Sequence, residues 1–99
     1  MELTLFSNVS DETLSIYRAC GFNWEEPRYI NIFRWLWNEK HYHPSITCFP
    51  GDVNNKAFCV LERATINGQS YKFVADSYDD AIIEIVNYIG KNHQDYLKT

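Results

Sequence analysis

The sequence predicts an α+β fold, with two layers in which helices pack on one face of a small antiparallel meander sheet, in the order (β)ααβββα. Apolar residues recur with the period of an amphipathic helix in three segments of the chain. Between the second and third of these, residues 45–75 contain stretches that alternate apolar and polar side chains, as half-buried strands do. Asn67-Gly68 within that region is typical of a tight hairpin turn.

Length and composition indicate one folded domain, residues 1–99, because 45% of the residues are hydrophobic and 16% are aromatic. No apolar run reaches the roughly 20 residues of a membrane span, and the first residues lack the pattern of a signal peptide. We therefore expect a cytoplasmic protein without a membrane partner. The net charge of −4 makes nonspecific nucleic-acid binding an unfavoured class. The three cysteines have no CxxC spacing, which favours reduced thiols.

The N-terminal half is predicted to form two helices. A short edge strand could precede them within residues 1–9, at 2–6. Ser10 is a suitable N-cap for a first helix at 11–20, with Gly21 just past its end. The second helix is predicted from Pro27, a favourable first-turn residue, to about His41, and Pro44 should stop it.

The C-terminal half is predicted to hold three strands and a last helix. Ser77 is a suitable N-cap for this helix, and Gly90 should end it. The tail, residues 92–99, is polar and is expected to fray. The strands are predicted at 45–49, 56–66 and 70–75, joined by turns at 50–55 and 67–68.

A pattern over roughly residues 29–90 is formed by Trp35, Leu36, Lys40, Ser77, Tyr78 and Ala81. It is similar to a pattern in small bacterial and phage-borne proteins of unknown function. In those proteins a helix with a tryptophan-leucine stretch is followed by two or three strands and by a helix that opens with Ser-Tyr. The resemblance implies an α+β fold and a context of mobile or accessory genes, and it implies no catalytic residue.

Two tryptophans on the second helix are predicted to have different surroundings. On a helical wheel Trp37 falls in the apolar arc and should pack in the core, whereas Trp35 falls at the centre of the polar face. Trp35 is therefore expected either to anchor an interface with a partner or to be covered by the N-terminal segment, with Phe22 and Trp24.

Ile83 is a similar exception on the last helix, because it lies outside the apolar arc. A single surface isoleucine needs no explanation, but beside Trp35 it would enlarge an apolar patch. The candidate partner-binding residues are Trp35, Arg34, Asn38, Glu39 and Ile83.

Four residues, His41, His43, Cys48 and Cys59, form the one grouping that resembles a metal site. The cysteines are symmetric about the predicted turn and could lie opposite each other on neighbouring strands. Zinc requires about four such ligands, but this spacing fits no known zinc finger. His41 also suits a helix C-terminus, and strand cysteines are usually small core residues. We therefore expect no metal and no cofactor.

The sequence contains no GxSxG, P-loop or GxGxxG motif, so we expect no enzymatic activity. The favoured function is a protein–protein interaction module of bacterial or phage origin, acting through an aromatic patch on the second helix. The simplest partner is a second copy, as in a homodimer, and another protein is the other option. An alternative is a single-stranded nucleic-acid binder that stacks bases on Trp35 and Tyr71. A third is a small zinc- or thiol-dependent enzyme.

Overall fold

A computed structural model describes residues 3–49, 58–66 and 69–98, with the side chains of 3–49 and 74–98. The predicted turns at 50–55 and 67–68 lie outside the described residues. The predicted α+β class is confirmed. The elements are α1 (Asp11–Ala19), α2 (Tyr29–Glu39), β1 (Ser45–Phe49), β2 (Phe58–Ile66), β3 (Gln69–Ala75), α3 (Tyr78–Asn92) and α4 (Gln94–Leu97).

Helix α1 begins and ends at the predicted signals. The Ser10 hydroxyl accepts a hydrogen bond from the amide of Thr13, which is one of the amides that a helix leaves without an internal partner. Gly21 follows the helix with a φ of +110°, a conformation that glycine adopts without steric cost. The first helix is therefore confirmed to within a residue.

The predicted edge strand at 2–6 was wrong over its described part, because residues 3–7 turn back over the start of α2. The carbonyls of Leu5 and Ser7 accept hydrogen bonds from the amides of Ile30 (3.0 Å) and Tyr29 (3.2 Å). Helix α2 has no side-chain N-cap. The N-terminal segment therefore supplies the acceptors that the first turn of α2 needs.

Helix α2 ends at Glu39, earlier than the predicted His41. The chain reverses immediately afterwards, with His41 at a φ of +54°. The amide of Tyr42 then donates to the carbonyl of Leu36 over 3.1 Å. This reversal brings His43 back alongside the last turns of α2.

The three strands pair antiparallel in the order β1-β2-β3. The register places Cys48 opposite Cys59, so the predicted cross-strand pairing of these positions is confirmed. Cys20 is a free thiol, whereas Cys48 is disulfide-bonded. The expectation of reduced thiols was therefore wrong for Cys48.

Helix α3 is the central element of the fold. Its first turn is capped as predicted, since the amide of Asp80 donates to the Ser77 hydroxyl over 3.1 Å. The helix contacts all three strands, and α1, α2 and α4 as well. We predicted that the helices together cover the sheet, whereas α1 and α2 make their main contacts with α3 instead. The buried residues of α3 accordingly cover an arc of about 200°, a little more than half of the helix surface: Ala81, Ile82, Ile83, Ile85, Val86, Ile89 and Gly90.

Gly90 lies inside α3 and does not end it, because the helix continues to Asn92. A Cβ atom at Gly90 would lie 3.1 Å from the ring of Tyr17. The Tyr17 hydroxyl also donates to the carbonyl of Val86 over 2.7 Å. The glycine therefore permits the close approach of α1 to α3.

The tail was wrongly expected to fray. Residues Gln94–Leu97 form α4, and the Leu97 side chain is fully buried in the main core. The Tyr96 hydroxyl donates to the carbonyl of Lys40 at the end of α2. The phenol of Tyr96 is protonated at neutral pH and can donate, and burial raises the pKa of Tyr96 further above its ordinary value. Helix α4 is thus fixed to both α2 and the core.

Candidate functional site

Trp35, the predicted centre of the partner surface, is a core residue that is only 4% exposed. The ring centroids of Tyr17 and Phe22 lie 6.0 and 5.8 Å from that of Trp35, both in edge-on geometry. Such arrangements are favourable for aromatic pairs. The Lys40 ammonium lies 5.3 Å from the centre of the indole.

Two environments were expected for Trp35, and the structure confirms the second, in which the N-terminal segment covers the indole. Phe22 belongs to the N-terminal segment, as expected, and Trp24 packs on Phe22 with a centroid distance of 6.1 Å. Trp35 has too little exposed area to anchor a partner and no face on which a nucleic-acid base could stack. It is therefore removed from the candidate surface. The side chain of Tyr71, the other predicted stacking residue, lies outside the described side chains.

Trp37, predicted to be a core residue, is instead 44% exposed. Its ring contacts Phe33 one turn earlier on α2, with a centroid distance of 6.2 Å. The imidazole of His43 packs against it at 4.2 Å, and His43 Nε2 lies 3.0 Å from the Trp37 carbonyl oxygen. The chain reversal after α2 thus supports one side of an exposed indole.

We define the Trp37 patch as Ile30, Phe33, Arg34, Trp37 and His43. At about 100° per residue the four helical members share one side of α2. Phe33 is buried, Ile30 is half-buried, and Trp37, Arg34 and His43 are exposed. The patch therefore has an aromatic centre and a polar edge.

The remaining predicted partner residues divide between two places. Arg34, Asn38 and Glu39 are all exposed on α2, and at about 100° per residue Arg34 and Asn38 both lie to one side of Trp37. Ile83 was expected at the surface, where it would enlarge an apolar patch if it lay beside Trp35. It is instead only 7% exposed and lines a groove next to β3. The structure therefore keeps two of the rim residues beside an exposed tryptophan and assigns Ile83 to another surface.

The predicted metal-like grouping is not assembled in the described part of the chain. The rings of His41 and His43 are perpendicular with centroids 6.4 Å apart, and His43 packs on Trp37. The disulfide leaves Cys48 without a thiolate to bind zinc or to attack a substrate. Among the described side chains, which exclude that of Cys59, no cluster of three His, Cys, Asp or Glu residues could hold a metal ion.

The sequence contains a signal for the burial of Trp35. Phe22 and Trp24 are large apolar residues in a linker between helices, and they need apolar surface to cover them. Trp35 is the one aromatic residue on the face of α2 that was predicted to be polar. Pairing the linker with that face is the covered alternative stated for Trp35, and it correctly predicts the burial of Trp35. It does not by itself predict that Trp37 is exposed.

Comparisons of the chain with protein-family models, with curated proteins and with solved structures found no match. The resemblance to small bacterial and phage-borne proteins stays a prediction. None of the helices within residues 3–49 and 69–98 combines the length and apolar character that crossing a bilayer requires.

Proposed function

We propose that the chain is a non-enzymatic protein–protein interaction module that self-associates through the Trp37 patch. The observation that carries the proposal is the exposure of the Trp37 indole, 44%, on a helix whose other tryptophan is 4% exposed. Tryptophan is enriched among the residues that contribute most to binding at protein interfaces. A bacterial or phage origin, which the resemblance implies, is part of the same proposal.

The composition of the patch suits an interface. Trp37 and the half-buried Ile30 provide an apolar centre, with the buried Phe33 packed against Trp37, and Arg34 and Asn38 provide polar neighbours. Interfaces commonly have an apolar, aromatic-rich centre with a polar rim that remains partly in water. The contact between Trp37 and His43 also limits the motion of the indole, so less conformational entropy is lost on binding.

A second copy is the partner that the geometry favours. The patch lies on one side of a single helix, so two α2 helices related by a two-fold axis would bury both Trp37 side chains in one contact. Twofold dimers are the commonest assemblies of soluble proteins. Arg34 is the one fully charged member of the patch and lies at its edge, so this surface carries little of the repulsion that the net charge of −4 would otherwise cause.

The test is the solution mass over a concentration series, measured by light scattering for the wild type, for Trp37→Ala and for Tyr78→Ala. Tyr78 is a matched control, because it is 48% exposed and lies on α3 outside the patch. We expect a dimer for the wild type and for Tyr78→Ala, and a folded monomer for Trp37→Ala. A monomeric wild type, or a Trp37→Ala variant that remains dimeric, would contradict the proposal.

A further inference from the structure

A second surface lies beside β3, where the strand and α3 border an open groove of about 300 Å³. The floor is apolar, since Ala75 and Ile83 are 9% and 7% exposed. Val74 lies at its edge and is 72% exposed, the largest exposure among the described large apolar residues. The groove is lined by Val74, Ala75, Asp76, Asp80, Ile83 and Glu84, and shares no residue with the Trp37 patch.

The groove lies at the C-terminal end of a strand that has an unpaired side. The sheet order leaves β3 at one edge, and no other described strand pairs with its outer side. β3 is seven residues long and contains no proline. An unpaired edge presents backbone donors and acceptors, and an extended peptide can add to such an edge as a further strand.

The charge of the groove indicates which peptide would bind. Among the lining residues whose side chains the structure describes, the charged ones are Asp76, Asp80 and Glu84, and no ion pair joins them to another described residue. Asp80 and Glu84 are also four positions apart on α3, a spacing at which like charges repel. Cationic side chains would relieve this repulsion.

We infer that the groove binds an extended, lysine- or arginine-bearing peptide segment of another protein, which adds as a strand to the outer edge of β3. Side chains alternate along a strand, so basic residues at every second position would all project towards the carboxylates on α3. Apolar side chains at the intervening positions would project from the opposite face, where Val74 alternates with the buried Ala75. The methylene chains of the basic residues would cover Ile83.

Other occupants fit this surface less well. Nucleic acid would be repelled by the three carboxylates. A second copy of the chain, paired edge to edge through β3, would place two sets of three carboxylates against each other. Positively charged peptide is the class whose charge complements the groove.

The test uses fluorescence anisotropy with a labelled synthetic peptide that alternates lysine and valine over about nine residues, enough to span β3 at ~3.3 Å per residue. A peptide with glutamate in place of lysine controls for charge. Two N-methylated forms, one methylated at the lysines and one at the valines, control for strand pairing, because one of them always blocks the amides that face β3.

The protein is the full chain, in three forms. The groove variant combines Asp76→Asn, Asp80→Asn and Glu84→Gln. A matched control removes the same charge from exposed positions outside the groove, with Glu25→Gln, Glu39→Gln and Asp95→Asn. Trp37→Ala separates this site from the proposed dimer surface.

We expect the lysine peptide to bind the wild type, the matched control and Trp37→Ala alike, and the groove variant at least tenfold more weakly. One of the two N-methylated peptides should also bind the wild type at least tenfold more weakly. The inference is overturned if the lysine peptide does not bind, if the glutamate peptide binds as well, if the groove variant binds as tightly as the control, or if neither N-methylated form is weakened. Loss of binding in Trp37→Ala would place the peptide on α2 and would equally overturn the inference. The self-association proposal is decided separately, by the solution mass alone.

Discussion

Trp35 and Trp37 lie two residues apart on α2, and their side chains occupy opposite environments. Trp35 is enclosed by Tyr17, Phe22 and the Lys40 side chain. Trp37 contacts Phe33 and His43 but keeps 44% of its surface exposed. The free energy of burial should therefore be gained mainly at Trp35, and surface for a partner is provided mainly at Trp37.

Alanine substitution should separate these two roles. We expect Trp35→Ala to lower the free energy of unfolding by about 3–5 kcal/mol, because a large buried ring leaves a cavity. We expect Trp37→Ala to change it by less than about 1 kcal/mol, as for most surface substitutions. Urea denaturation followed by circular dichroism, at a concentration where the wild type is monomeric, measures both. Equal losses, or a larger loss for Trp37→Ala, would contradict this assignment.

The environments of Trp35 and Trp37 show what a helical wheel cannot predict. Periodicity identified the apolar arc of α2, but the wheel contains no information about what packs on the other side. The position of Trp35 was decided by Phe22 in a linker, through contacts that depend on the tertiary fold. The burial of Ile83 was missed for the same reason, because α3 packs against the sheet and against other helices at once.

At the scale of elements, features with local causes were predictable from the sequence. Ser10 and Ser77 cap their helices as predicted, because an N-cap requires only a side-chain oxygen and the amide three residues later. Helix α4 was missed, because four residues in a polar tail show no usable period. Its stability comes from the burial of Leu97 and from the hydrogen bond of Tyr96 to the Lys40 carbonyl.

Removing the Leu97 side chain should therefore destabilise the whole domain. We expect Leu97→Ala to lower the free energy of unfolding by about 2–5 kcal/mol, the usual range for a buried leucine. Asp95→Ala, an exposed position on the same short helix, is the control and should change it little. Thermal unfolding followed by circular dichroism checks both variants. If Leu97→Ala had the same melting temperature as the wild type, the tail would not pack in the core.

The pairing of β1 with β2 predicts the number of free thiols. Cys48 is disulfide-bonded and lies opposite Cys59 in the register, whereas Cys20 is free. Thiol titration of the chain, unfolded in denaturant after air oxidation, should therefore find one thiol, and three after reduction. A Cys20→Ser variant should show none before reduction. Three thiols in the unreduced wild type would contradict the disulfide.

At the scale of the whole molecule, the two candidate surfaces differ in chemistry. The Trp37 patch on α2 is aromatic and has a cationic edge at Arg34, whereas the groove beside β3 is bordered by carboxylates. A self-association through the first would leave the second open to a different, basic partner. The fold separates the two surfaces by element, since one is built on α2 and the other on β3 and α3.

The measurement that tests the central claim most directly is fluorine NMR of the chain labelled with 5-fluorotryptophan. Each of the three tryptophans gives one signal, assigned with single Trp→Phe variants. In dilute samples the Trp37 signal should shift between H₂O and D₂O, because its indole is exposed, and the Trp35 signal should not. Raising the protein concentration should shift or broaden the Trp37 signal and remove its solvent shift, while Trp35 stays unchanged. A solvent shift at Trp35, or a Trp37 signal that is indifferent to concentration, would contradict an exposed Trp37 that anchors self-association.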